Sequence, residues 1–272
     1  MSKVVLITGV TGGLGEVLGP MAAEAGMTVY GTTRNPAQHE GRYDFPLLEV
    51  DVTSDASVDA CINALVEKEG RIDVLINCAN EMFIGGVHEA TVDEVKHLYD
   101  TNVFGVMRMC KAVAPVMRAH GSGTIVNMSS LGGVLAVPYM SSYTSAKFAM
   151  EAFSEALYHE LRFEGVSVVI MQPVAMRMDR PDTGHHLRLV DNVEEGSISH
   201  KMLKQMSKDT AASKLTPQAV SERILEVIGS PKKPLRVPMD RAKGLSVIKR
   251  VAPQGVIDKM IAGLVGLGPA KA

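Results

Sequence analysis

Short apolar runs alternate with longer stretches in which apolar residues recur every three or four positions. Residues 4–8, 28–33, 47–50, 74–77, 124–128 and 167–171 read as strands. The first, Val-Val-Leu-Ile-Thr, is apolar almost throughout, as a parallel strand covered on both faces is. Between them the spacing predicts a helix from the first glycine turn to about Gly26, then helices over 56–68, 92–117 and 141–163. This βα order predicts an α/β fold, a doubly wound parallel sheet (Rossmann fold) in a single domain over 1–272. Ligands of such sheets bind at the carboxyl ends of the strands. A further segment is expected, a C-terminal helical extension at about 241–267.

Composition narrows this picture in one direction. A formal charge of −2 gives no reason to invoke nucleic acid. The three cysteines, Cys61, Cys78 and Cys110, are scattered without Cys-x-x-Cys and read as free thiols of a reducing compartment. Lys3 to Thr8 has no signal-peptide pattern, and no apolar run approaches the ~18 residues of a membrane span, so a cytoplasmic protein is the expectation.

Chemistry concentrates at the strand ends. Thr8-Gly9-Val10-Thr11-Gly12-Gly13-Leu14-Gly15 follows the first strand and opens a helix, a place where backbone amides and a helix N-terminus face a phosphate. After the second strand comes Thr32-Thr33-Arg34, with no carboxylate between Gly26 and Glu40. An acidic residue there would bind a ribose 2′-hydroxyl, whereas Arg34 suits a 2′-phosphate, so NADP(H) is favoured and NAD(H) stays open. Tyr143 and Lys147 stand one helical turn apart, with Ser130 upstream. A cation about 4 Å from the phenol at an effective dielectric of about 20 is worth roughly 4 kcal/mol, enough to bring a pKa of about 10 towards neutrality. Such a phenol exchanges a proton with a carbonyl oxygen.

The glycine turn, Asp51-Val52 after the third strand, Asn102 in the long fourth-strand helix, and Ser130, Tyr143 and Lys147 in register together resemble the short-chain dehydrogenase/reductase family from Lys3 to about Asp240. The resemblance implies a catalytic set of Tyr143, Lys147, Ser130 and Asn102. Tyr143 would donate the proton, Ser130 would bind the carbonyl oxygen, Lys147 would lower the tyrosine pKa and hold the nicotinamide ribose, and Asn102 would hold a water beside the lysine. For Asn102, bonding within the helix or plain exposure is the alternative. The cofactor would lie along Gly9, Thr11, Gly12, Gly13, Leu14, Gly15, Thr33, Arg34, Asp51, Val52, Asn77, Cys78, Ala79, Tyr143, Lys147, Pro173 and Met176. Relatives commonly pair through the long helices, implying a homodimer or homotetramer, and the resemblance places a variable substrate lid at about 175–215.

Three stretches depart from the family pattern. Asn77-Cys78-Ala79-Asn80 stands where Asn-Asn-Ala-Gly is usual, Pro173-Val174 where Pro-Gly is usual, and Met178 near the place of a threonine. Met82, Met140, Met176 and Met178 flank the expected pocket and suit a bulky apolar ketone or alcohol, or serve only packing. His185, His186, Asp179 and Asp182 lack a ligand spacing, so no metal is expected. In the C-terminal extension Val256, Ile257, Met260, Ile261 and Leu264 recur with helical period near Lys249, Arg250 and Lys259. Packing on the domain is favoured over a subunit contact, and a membrane-surface role ranks third. No serine lies in Gly-x-Ser-x-Gly, which removes the hydrolase elbow. An NADP(H)-dependent oxidoreductase interconverting a carbonyl and an alcohol is the reading. A non-redox isomerase, epimerase or dehydratase, or a nucleotide-binding module, is the alternative.

Overall fold

The computed structural model describes residues 2–177 and 188–264. Among these, the strands β1 (Val4–Thr8), β2 (Thr28–Thr33), β3 (Leu47–Glu49), β4 (Val74–Asn77), β5 (Phe83–Ile84), β6 (Gly123–Met128), β7 (Val166–Gln172), β8 (Arg188–Leu189) and β9 (Arg236–Pro238) appear in chain order. Seven of them form one sheet in the order β3-β2-β1-β4-β6-β7-β9. Every pairing in it is parallel. The order reverses between β1 and β4, which opens a crevice at their carboxyl ends.

Strand parity explains the runs read as wholly apolar. Val4 and Leu6 join one core with α2 (Asp55–Glu69), α4 (Val106–Ala119) and α5 (Ser141–Leu161). Val5 and Ile7 join a second core on the other face, with α1 (Gly15–Glu24) and α7 (Pro217–Gly229). Both faces of the sheet are thus covered, as a doubly wound fold requires.

The helix expected over 92–117 is α3 (Val92–Tyr99) running through a π turn at Asp100–Gly105 into α4. A reciprocal cap between Thr91 and Glu94 starts α3. The stretch read as a lid loop is more ordered than expected: β8 pairs with β5, and α6 (Ile198–Ala211) follows, capped by Ser197. The C-terminal extension divides at Pro253 into α8 (Ala242–Val251) and α9 (Gln254–Leu264), since proline cannot supply a helical amide. The third strand, expected over 47–50, is β3; α7 and β9 extend the picture drawn from the sequence, and β9 is three residues with one buried, too short for periodicity to register.

Candidate functional site

The glycine turn lies at the sheet's reversal point. Gly9 has φ +62°, and a β-carbon there would come within 2.9 Å of the Ala79 backbone. At Gly15 a β-carbon would meet Val10 Cα at 2.6 Å, so α1 packs too closely for any side chain. Leu14, at the cap position of α1, offers no side-chain acceptor, and the first turn closes on backbone carbonyls instead, with Glu16 N donating to Gly12 O at 3.0 Å and Val17 N to Leu14 O at 3.2 Å. Glu16 in that first turn is paired with Arg42. Thr8 closes the crevice floor: its hydroxyl accepts hydrogen bonds from Cys78 N at 3.0 Å and Ala79 N at 3.1 Å.

Around the turn, Arg34 is exposed just past the end of β2, and Thr33 is half-buried. Burial works to raise the Asp51 pKa, but two hydrogen bonds from Thr53 and the nearby Arg34 and His97 outweigh it and hold the carboxylate below its usual range. Val52 is buried, and its carbonyl accepts from Arg108. Two buried polar oxygens near this rim, Thr32 Oγ1 and Asn80 Oδ1, have no protein partner. Asn77 differs from expectation. It shares Leu75's parity, so its side chain faces α4 and α5, where its amide donates to Asn127 Oδ1 at 2.8 Å. Asn127 in turn donates to Ser154 at 2.8 Å. The Asn77 side chain is therefore part of a buried strut, away from the crevice.

Tyr143 and Lys147 lie on the buried face of α5, 7% and 3% exposed. Ser130 leaves β6 in extended conformation and its hydroxyl accepts from Gly132 N at 3.1 Å. That acceptance leaves the Ser130 proton for a partner, and the Ser130 hydroxyl acts to lower the pKa of the Tyr143 phenol. Lys147 Nζ donates to Met128 O at 2.8 Å and lies 5.7 Å from the Tyr143 ring centre. The expected depression of the tyrosine pKa does not arise from this arrangement. Burial pushes the Tyr143 phenol up to about 12, against the lowering bond from Ser130. Burial also draws Lys147 down to about 8, against Cys78 and Glu151. Desolvation acts on both groups, and the ammonium is directed at a carbonyl rather than at the phenolic oxygen.

This has a measurable consequence. Between the folded Lys147 value of about 8 and its ordinary 10.5, the unfolded chain binds more protons, so stability rises with pH across that window. Above pH 10 the raised Tyr143 acts in the opposite sense. In the cofactor-free protein, Lys147→Met is expected to remove on the order of 2–3 kcal/mol of this pH 8 to 10.5 rise, read from urea midpoints. Parallel curves for the two proteins would refute the depressed lysine.

Asn102 sits in the π turn, and its amide group is engaged by one residue: Oδ1 accepts from Glu81 N at 2.8 Å and Nδ2 donates to Glu81 O at 2.7 Å. It anchors the segment after β4, a pairing different from the water contact expected of it. Cys78 is fully enclosed and burial pushes its thiol up to about 12, against the lowering effect of Lys147, which makes it a packing residue.

Tyr143 packs in an apolar cluster with Phe83, Met140, Val190 and Met202, bordered by Met82, Tyr139, Leu203 and Met206. Of the methionines expected at the pocket, Met82 and Met140 join this wall. Met176 packs instead against the core beneath β7, behind Pro173 and Val174, and Met178 lies outside the described residues with His185, His186, Asp179 and Asp182. The Pro173 carbonyl accepts from Leu131 N at 2.9 Å, so the strand beside Met176 still borders the Ser130 loop. Met202 and Met206 of α6 were missed because they lie in a largely polar segment. Tyr139 has φ +60°, strained for a tyrosine, and its carbonyl accepts from Gly85 N at 2.8 Å. Nothing in the sequence marks that strain. Glu89, buried, accepts from Ser199 Oγ at 2.5 Å and so fixes α6 to the body.

A separate groove of about 550 Å³, lined by Phe104, Arg108, Cys110, Phe153 and Leu157 among others, runs between α4 and α5 away from Tyr143. It occupies the helices on which the resemblance places subunit pairing. Among the described residues, no group of three His, Cys, Asp or Glu could hold a metal, and no helix is long and apolar enough to cross a membrane.

Comparison with known proteins agrees with this architecture. The chain is 36% identical over 235 residues to a 3-ketodihydrosphingosine reductase of Bacteroides thetaiotaomicron, covering 86% of each chain. A short-chain dehydrogenase from Streptomyces avermitilis superposes with a TM-score of 0.81 at 29% identity, over 98% of this chain and 96% of that one. A gluconate 5-dehydrogenase from Burkholderia cenocepacia, in complex with NADP and tartrate, superposes with a TM-score of 0.61 at 26% identity, over 66% and 74%. The family model for short chain dehydrogenases matches residues 3–183, and with these relatives it makes the chain a member of the short-chain dehydrogenase family of oxidoreductases.

Proposed function

We propose that the protein interconverts a ketone or aldehyde and an alcohol with a nicotinamide dinucleotide, NADP(H) in preference to NAD(H). The observation that carries this reading is Tyr143, buried beside Ser130 and Lys147, together with the glycine turn at the sheet's reversal point. The residues at the crevice fit such a cofactor: Gly9 and Gly15 make a cradle that a β-carbon would fill, and the amides of Thr11, Gly12, Gly13 and Leu14 adjoin it. Arg34 would pair with a 2′-phosphate, Asp51 and Val52 would border the adenine, and Cys78, Ala79, Pro173 and Met176 would border the far end through their backbone. When bound, the dinucleotide supplies or accepts the hydride.

The chain's own residues do the rest. Tyr143 holds its proton at neutral pH and is loaded as the acid for a carbonyl oxygen. Ser130, accepting from Gly132, turns its proton towards the same oxygen and stabilises charge as it develops there. Lys147 has three donors, of which one is held by Met128 O, and the others would reach the nicotinamide ribose. Asn102 positions the Glu81 segment rather than a proton. The cluster of Met82, Met140, Met202 and Met206 around Tyr143 excludes water and suits an apolar substrate, with α6 as part of the substrate lid. The Bacteroides relative, a reductase of a 3-keto compound by name, supports a ketone and the direction of reduction.

The test follows absorbance at 340 nm with NADPH or NADH and a panel of ketones. Turnover is expected to favour long apolar ketones over short polar ones. Arg34→Ala is expected to raise the KM for NADPH by about tenfold or more with little change for NADH. An unchanged ratio sinks the NADP(H) assignment, and product formed without cofactor consumption favours the isomerase alternative.

A further inference from the structure

Exposed apolar side chains gather on one part of the surface. Val247 is 59% exposed, Val251 76% and Val256 51%, with Ile248 beside them. On α8, Gly244, Val247, Ile248 and Val251 follow the i, i+3, i+4, i+7 spacing of one helical stripe. That stripe points away from the protein, because Ala242 of α8 and Ile257 of α9 are the residues almost wholly buried against the body.

The borders of the stripe are basic. At 100° per residue, Lys243 and Arg250 flank one side of it and Arg241 the other. Between 241 and 264 there are five cations, Arg241, Lys243, Lys249, Arg250 and Lys259, against one carboxylate, Asp258, in a chain whose formal charge is −2. The helices that carry the exposed valines thus hold an excess of positive charge. An apolar stripe with long cationic side chains along its edges is the arrangement in which the apolar part enters a bilayer interface while the cations reach anionic headgroups.

We propose that α8, with the adjoining part of α9, docks the protein on an anionic lipid surface. Charge complementarity selects this occupant: a second copy would set the same cationic rim against itself, with only Asp258 of α9 and Glu155 near Arg250 to offset it. The placement is purposeful. The chain enters α8 directly from the carboxyl end of β9, where Met239 N donates to Gln172 O at 3.0 Å. Ala242 packs in the core that includes Val174, Met176 and Leu215. Docking would therefore bring the rim of the sheet that holds the candidate site to the lipid surface, where an apolar ketone accumulates. Docking itself needs no chemistry at Tyr143, so its test reads independently of the proposed reaction.

The full-length protein is sedimented with phosphatidylcholine vesicles with and without phosphatidylglycerol, at low salt and at about 0.5 M salt, where exposed charges are screened. Partitioning is expected onto the phosphatidylglycerol vesicles alone. It should fall by about tenfold or more in high salt, in Lys243→Gln with Arg250→Gln, and in Val247→Asp with Val251→Asp. All substituted positions except the flanking cations are exposed apolar ones, so unchanged thermal melting of each variant checks that the fold is intact. Failure to sediment with phosphatidylglycerol vesicles overturns the proposal. So does equal sedimentation with both vesicle types, and so does a wild-type oligomer, seen by analytical ultracentrifugation, that the valine variants convert to monomer.

Discussion

Tyr143→Phe is expected to lower the rate of ketone reduction by about 10³-fold while dinucleotide affinity changes by no more than about twofold. The phenyl ring preserves the packing against Phe83, Met140 and Met202, so the wall of the pocket stays in place. What disappears is one oxygen, the proton donor to the carbonyl. Ser130 still accepts from Gly132 and can still bond the substrate oxygen, which sets a floor under the residual rate. Steady-state turnover at 340 nm measures the first quantity and titration of NADPH fluorescence with the protein the second. Activity within about tenfold of wild type would refute the acid role, because general acid catalysis contributes about 10² to 10⁴.

The pKa directions refine what that tyrosine is prepared to do. With burial holding the phenol up to about 12, the protonated form prevails at neutral pH, which suits proton donation in reduction. Removing a proton from an alcohol would require a phenolate, and the surroundings of the site without a cofactor oppose it. Lys147 does not stand against the phenolic oxygen; it bonds the carbonyl of Met128, the last residue of β6, and so ties α5 to the strand that delivers Ser130. The lysine is then first a brace for the geometry and second a charge.

Local spacing made much of this legible. Tyr143, Lys147 and the glycine turn are set by helix period and strand order within a few residues, and the sheet follows from βα alternation. Strand parity would have revealed one more feature: Asn77 shares Leu75's face, and so belongs to the interior beside Cys110. Other features depend on residues brought together from far along the chain. Gln172, Glu151 and Arg236 meet only because β7 and β9 are neighbours in the sheet and α5 packs over them. Met202 and Met206 reach Tyr143 only through the docking of α6, which rests on Ser199 and Glu89, 110 positions apart. A pattern read within short windows has no access to such pairs.

That first long-range group carries the largest expected effect on stability. Glu151 follows Lys147 by one turn on the buried face of α5; its Oε1 accepts from Gln172 Nε2 at 2.8 Å and its Oε2 from Arg236 Nε at 2.9 Å. Glu151→Ala leaves the Gln172 amide without its acceptor and the Arg236 guanidinium with only Glu155, whose side chain is 48% exposed. Removing one member of a buried pair costs about 3–5 kcal/mol, because the remaining charge keeps its desolvation penalty. Glu151→Gln keeps the volume and an acceptor for Gln172 and is expected to cost about 1–3 kcal/mol. Urea unfolding with an unchanged m-value measures both, and a loss below about 1 kcal/mol for alanine would mean the pair behaves as a screened surface one. In Glu151→Leu with Arg236→Leu, no charge is stranded between this pair, so the double variant is expected to lose less than the sum of the single ones. The substitution also reaches the site: the Ser130 loop closes so tightly at Gly133 that a β-carbon there would meet Glu151 Cγ at 3.0 Å. Loss of Glu151 therefore loosens the support of Ser130 and removes the nearest carboxylate that keeps Lys147 charged, so turnover should fall along with stability.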